Sequence, residues 1–572
     1  MRRTNVARLG ALAVAAALAV SACGSSNSGS NAGGVQSGGS TTPSGGASGG
    51  GAAPVTGGTF VDLQNFAPGA PAHIDPALAS ELSGAQVATL LYDSLTEYDF
   101  SNREQPVLKP NVAESYSNND DATVFTFKVR KDVKYSDGTQ VMPSDFKYAW
   151  EQVLNPDLAS DLTYLLENIK GAKDIEKNGA KELSGVVADD AAGTLVVTLE
   201  EPFADFAGAV SHPVFSPKPK AAYSKAPAAD WEKTDMIGNG PFKMKKAYAE
   251  GDQQIELVRN DTYFGGIENH KAYLDEVDFK ISKDIDSAYN DFEGGNGQNA
   301  AIPSGKFSEA TGKYPHATDP NLGLYYFAFN QEDPVVGGAK NLKLRQAISL
   351  GVDRQGINKA AYDGSRRMPT GVTPPGLPGF KTGLCGDYCP ENPQVDKAKQ
   401  LVADWKAAGG AQNGPIKIQF NAGAGHEDVV NVMVANLKDI GIEAQADPRD
   451  SKTYFKEMRG GGCVLCRAGW IWDYPIYDNG VNALLNSASI GGDNLARFKD
   501  DKVDKAIADA RKTTDATKRA ELYQTAEKGG LDAMATMPVN WYAGNIVYTD
   551  KVQNYVYTPL QFTLYEDVWL KS

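Results

Sequence analysis

A compositional break near residue 57 limits what this chain can fold into. Residues 24–57 are almost all Gly, Ser, Ala, Asn and Thr. Such a mixture buries too little apolar surface to hold a packed structure and acts as a flexible linker, spanning roughly 30 Å at this length. All folding therefore rests on residues 58–572. That stretch is long enough for two or three domains. The chain's 25 Tyr, 21 Phe and 7 Trp can supply the cores.

Ahead of the linker, Arg2, Arg3 and Arg8 precede a short apolar run at 9–20, then Ser21, Ala22 and Cys23. Basic region, apolar region and small residues in that order mark residues 1–22 as a secretory signal. The run is too short for an ordinary membrane-spanning helix. Val20 to Cys23 resembles a bacterial lipobox, in which Cys23 is acylated and becomes the mature N-terminus; plain secretion with cleavage near Ala22 is the other reading. Two or more lipid chains would anchor the protein durably, with residues 23–57 as its tether on the extracytoplasmic face of the cell membrane. Loss of residues 1–22 takes the net charge from −15 to −18.

That acidity excludes nucleic acid as a partner, since phosphate contacts need a basic field. Enzyme signatures are also missing: there is no P-loop and no H-E-x-x-H. Gly46-Ala47-Ser48-Gly49-Gly50 matches the hydrolase elbow only formally, because no strand precedes it and no helix follows. A hydrolase would have to hide its carboxylates from sequence reading. No enzyme activity, resident metal or cofactor is expected, and the protein is expected to be monomeric.

Periodicity gives an α/β body. Phe125, Phe127 and Val129 alternate with polar neighbours, as in a half-buried strand, and residues 145–154 read as a helix. Residues 195–199 form a further short strand. Ile416, Ile418 and Phe420 alternate likewise. Then Val430, Met433, Val434, Leu437 and Ile440 fall at helical spacing before Gly441, and a strand follows from Glu443. That order suggests a βαβ unit.

Several segments in sequence carry a family likeness. They include Pro110 to Ser115, Phe125 to Gly138, Ile237 to Phe242, Leu344 to Ile348, Arg467 to Pro475 and Arg519 to Tyr523. In this order and spacing, from about residue 58 to 570, the chain resembles the dipeptide/oligopeptide-binding family of extracellular solute-binding proteins, the receptors of ABC importers. The resemblance implies a two-lobed, periplasmic-binding-protein-like α/β fold with a hinge. Lobe I would cover 58–325, with an extra subdomain at about 102–228, and regain 538–572. Lobe II would cover 326–537. The crossings would lie near 325–330 and 538–542. A ligand between the lobes is carried to permease subunits, not transformed. An oligopeptide is the expected ligand; a sugar oligomer, a metal chelate, haem or a signalling peptide are alternatives.

A closed cleft needs a carboxylate for the peptide's ammonium, because an unpaired buried charge is costly. By resemblance that residue is Asp473, with Trp470, Trp472 and Tyr474 as candidate walls. By resemblance Arg467 matches a group that meets longer peptides in the family, and His426, at a helix start, stands one position from the place of another. Glu81 stands roughly where a first-lobe contact falls. Four cysteines remain after acylation: Cys385, Cys389, Cys463 and Cys466. An even count in an exported chain suggests two disulfides. On a strand, Cys463 and Cys466 would point to opposite faces, which favours cross-links to the Cys385–Cys389 loop over local bridges. A four-cysteine zinc site is the alternative.

Overall fold

The computed structural model describes residues 53–67, 69–225, 228–249, 251–423 and 425–571. The signal, Cys23 and most of the linker lie outside the described residues. Residues 54–572 form one compact unit. Its backbone is tied in from Gly57, whose N–H donates to the Tyr273 carbonyl at 2.8 Å.

Two main sheets define two lobes. The first has seven strands. Its centre is Thr59–Asp62, flanked in parallel by Glu276–Lys280 on one side and Asn299–Ala301 on the other. Gln254–Arg259 and Phe242–Met244 extend one edge, and Ile546–Tyr548 and His316–Ala317 the other. The second sheet has five strands in the order Ala444–Arg449, Ile416–Asn421, Leu465–Ile471, Pro320–Phe329, Thr536–Ala543. The 416–449 segment forms the expected βαβ unit: strand, helix Glu427–Asp439, parallel strand.

Pro320–Phe329 shows why the second sheet is central. Leu322, Leu324, Tyr326 and Ala328 enter one core, while Tyr325, Phe327 and Phe329 enter the other. A strand buried on both faces reads as an unbroken apolar run.

The chain leaves the first sheet after Ala317 and joins the second at Pro320; it returns between Ala543 and Ile546. The crossings are thus residues 318–319 and 544–545, outside the expected 325–330 and 538–542. The two connections touch: Gly544 N–H donates to the Asp319 carbonyl at 2.9 Å. A Cβ on Gly544 would sit 2.4 Å from the Ala317 carbonyl oxygen, so this approach requires glycine.

A third, four-stranded sheet, Ala113–Asn118, Val124–Val129, Thr194–Thr198 and Val186–Asp189, has its own core around Phe125, Phe127, Trp150 and Phe215. It sits within residues 102–228. This subdomain also touches lobe II: Ala204 N–H donates to the Arg511 carbonyl at 2.7 Å, and Asp205 pairs with Arg519 at 2.7 Å.

The cysteines correct the expected pairing. Cys385 is bonded to Cys389 and Cys463 to Cys466, both locally. The alternation argument fails because the strand starts only at Leu465. Cys463 precedes it, leaving a helical turn that ends through Gly461 at φ 96°. Cys463 and Cys466 therefore meet on one core face, their Cα atoms 5.4 Å apart.

Candidate functional site

Strand Leu465–Ile471 pairs along its whole length with Pro320–Phe329 on one side. On its other side Ile416–Asn421 reaches only Leu465 and Cys466. From Arg467 onward that edge carries no strand among the described residues. It faces a cavity of about 590 Å³ lined by Arg467, Gly469, Trp470, Asp473 and, from the subdomain of lobe I, Tyr164. Phe455, Arg459, Asp493 and Tyr542 complete much of the wall.

Asp473 lies between this strand and helix Tyr477–Leu485. Asn479 fixes it twice: its amide donates to Asp473 Oδ2 at 2.8 Å, and its Oδ1 accepts the Asp473 N–H at 3.1 Å. The Tyr164 hydroxyl also hydrogen-bonds to the carboxyl. Burial pushes the Asp473 carboxyl up, against these hydrogen bonds. Among the described residues no Lys, Arg or His forms an ion pair with it.

Arg467 stacks its guanidinium over Tyr325, 4.7 Å from the ring centroid. Its Nη1 reaches Asn421 Oδ1 at 3.3 Å, while Nε has no partner among the described residues. His426 lies beyond Tyr325, whose hydroxyl is 3.2 Å from His426 Nδ1. Burial first, and then the Arg467 charge, push the imidazole down to about 4. His426 is therefore neutral near pH 7 and supports Tyr325; it supplies no cation.

Three expected site residues lie elsewhere. Trp472 is buried in the lobe II core. Gly480 makes its room, since a Cβ there would meet the indole at 2.2 Å. Tyr474 packs against the subdomain core and so bridges the lobes. Glu81 is exposed and accepts the Ala72 N–H at 3.2 Å, closing its own loop. Sequence reading missed Tyr164, Asp493, Arg459 and Tyr542. Tyr164 stands among Leu162, Leu165 and Leu166, so it reads in the sequence as one more core residue and not as a wall of a site. Tyr542 had one faint sign: its ring occupies space that Gly323 and Gly469 leave open.

Two lobes, a cavity between them lined by a partly buried carboxylate, and a strand edge left uncovered from Arg467 onward are the parts of a binding protein. The model of bacterial extracellular solute-binding proteins, family 5 (middle), matches residues 107–492. The chain belongs to this family, whose members are solute-binding receptors and not enzymes. The periplasmic oligopeptide-binding protein OppA of Escherichia coli K12 is 30% identical over 485 residues, 82% of this chain and 85% of that protein. The oligopeptide-binding protein OppA of Bacillus subtilis 168 is 26% identical, covering 85% of this chain and 88% of its own. The unliganded open form of the murein tripeptide-binding protein MppA superposes with a TM-score of 0.76 at 24% identity, covering 91% and 98% of the two chains. That likeness shows the two-lobed fold.

Proposed function

We propose that this protein binds extended oligopeptides between its lobes and delivers them to the permease subunits of an ABC importer. One observation carries the reading: among the described residues, Asp473 is a partly desolvated carboxylate without a cationic partner, beside a strand edge that no strand covers. The peptide's ammonium supplies the missing charge. Its backbone adds along residues 467–471, where main-chain groups recognise any sequence. Arg467 is the candidate for the peptide carboxylate. It lies six positions before Asp473, a span of at most about 20 Å on an extended chain. The relatives named above from E. coli and B. subtilis are oligopeptide-binding proteins, which supports the same reading.

Native mass spectrometry of the purified body should release bound peptides. Calorimetry then tests the anchor. Asp473→Asn should weaken a free peptide by roughly thirtyfold to several thousandfold, because one charge is left buried alone. N-acetylating the peptide should cost wild type similarly and the variant much less. Additive losses would remove Asp473 from this role.

The protein works as a lipid-anchored monomer, held at Cys23 on the extracytoplasmic face of the membrane by the flexible tether. Cys23→Ala should release it into the soluble fraction; unchanged membrane retention would overturn the anchor.

A further inference from the structure

Asp473 also borders a second cavity, of about 90 Å³, on the side toward lobe I. Three more carboxylates line it: Asp93, Glu97 and Glu566. None of these three is in an ion pair with Lys, Arg or His among the described residues. The adjoining cavity of about 210 Å³ shares Glu97 and Glu566 and adds Asp99, Glu268, Asp567 and His270. Its nearby cations are engaged, Lys109 with Asp99 at 2.6 Å and His270 with Asp567 at 3.0 Å.

Acidity alone would not make this a ligand site, but the lining also holds stranded acceptors. Asp93, Asn111 and Ser216 are all more than nine-tenths buried. Tyr263 and Asn111 hydrogen-bond to the Asp93 carboxyl. Asp93 Oδ2, Asn111 Oδ1 and Ser216 Oγ nevertheless have no partner among the described residues. Buried polar atoms are rarely left so. His212 cannot supply the missing charge: burial holds it neutral, pushed down to about 4, and its Nδ1 accepts the Val214 N–H at 3.1 Å. Burial and mutual repulsion push Glu97 well up, and burial raises Asp93 to about 7. The cavity is several times the roughly 10–15 Å³ that one water needs. Tyr98, Leu560 and Phe562 offer apolar wall for a methylene stem.

We propose that this cavity is a subsite for the guanidinium or ammonium side chain of the peptide's first residue, so that the receptor selects ligands with Arg or Lys at the amino end. The inference rests on the peptide reading. With the ligand ammonium at Asp473, the first side chain departs one bond away, beside a cavity that Asp473 itself lines.

Calorimetry with four tetrapeptides tests it: tetra-alanine, the same peptide with Arg first, with citrulline first, and with Arg last. Citrulline keeps the shape of Arg and removes its charge. Arg first should bind roughly ten- to hundredfold tighter than citrulline first, the range for hydrogen bonds to charged groups. Combined Asp93→Asn and Glu97→Gln should shrink that ratio to within about threefold, and Glu566→Gln, measured as a second variant, should lower it too. Removing a carboxylate from a repulsive cluster leaves folding at least as stable, which thermal melting of each variant checks. Equal binding of Arg-first and citrulline-first peptides, a ratio unchanged in the variants, or an equal gain from Arg last would overturn the subsite. If tetra-alanine binds without an Arg preference, the subsite alone falls. If no peptide binds, the peptide reading falls and takes the subsite with it.

Discussion

Asp75 and Lys218 are both almost completely buried and paired with each other. The Tyr223 hydroxyl lies 3.3 Å from Lys218 Nζ, and the ammonium sits 4.5 Å from the centroid of the same ring. Burial pushes the Lys218 ammonium down, against the neighbouring Asp75 carboxyl, which favours the charged form. Breaking such a pair strands one charge, whereas replacing both ends is much cheaper. Lys218→Met should therefore cost about 3–5 kcal/mol in urea unfolding. Adding Asp75→Asn should recover most of that loss. A double variant as unstable as the single one would show that the loss comes from packing around the lysine stem.

At the scale of elements, glycine positions give paired tests. Gly544→Ala places a Cβ against the Ala317 carbonyl where the two crossings touch. It should cost about 1–3 kcal/mol, as overpacking does. Gly312, in helix Phe307–Lys313, has open space where a Cβ would stand, with no neighbouring atom within 4 Å. Gly312→Ala should stabilise by about 0.5–1 kcal/mol. Thermal melts of both decide whether close approach, and not glycine content, sets the difference. The disulfides are also an element-scale matter. Non-reducing peptide mapping should find Cys385 with Cys389 and Cys463 with Cys466, and each closes so short a loop that reducing it costs roughly 2 kcal/mol. Strands 124–129 and 416–421 and helix 427–439 were legible in the sequence because their apolar residues recur with a local period. The crossings were not. Pro320–Phe329 and Thr536–Ala543 are buried on both faces, so no alternation marks where they leave a sheet. The cysteine pairing depended on where a strand begins, which Gly461 decides through its left-handed backbone. Asp473, Arg467 and Trp470 were found because they share one short segment. Tyr164 joins them only through folding, from about 300 residues away in the chain.

Across the whole molecule, buried acids and buried histidines oppose each other in pH dependence. Burial raises Asp93 in lobe I to about 7, Asp205 in the subdomain to about 6 and Glu527 in lobe II to about 7. Each keeps its proton longer when folded than when unfolded. Their contribution is therefore fully present at low pH and is lost as pH rises from about 4 through their folded values. His212 and His426 are held neutral, both pushed down to about 4. Unfolding lets them take a proton below about 6.5, so their contribution is lost as pH falls through that window. The two effects compete below about pH 6.5; above it only the acids still titrate. The body should therefore melt at a higher temperature at pH 6 than at pH 8. Glu527 isolates one share of that slope. Its carboxyl accepts the Val372 and Thr373 N–H groups at 2.6 and 3.1 Å, and the Thr373 hydroxyl at 2.7 Å, all within the core. Glu527→Gln keeps an acceptor for the N–H groups and removes the titration. Its melting temperature should fall less between pH 6 and pH 8 than that of wild type. Parallel pH profiles for the two proteins would show that Glu527 stays ionised throughout and that the slope arises elsewhere.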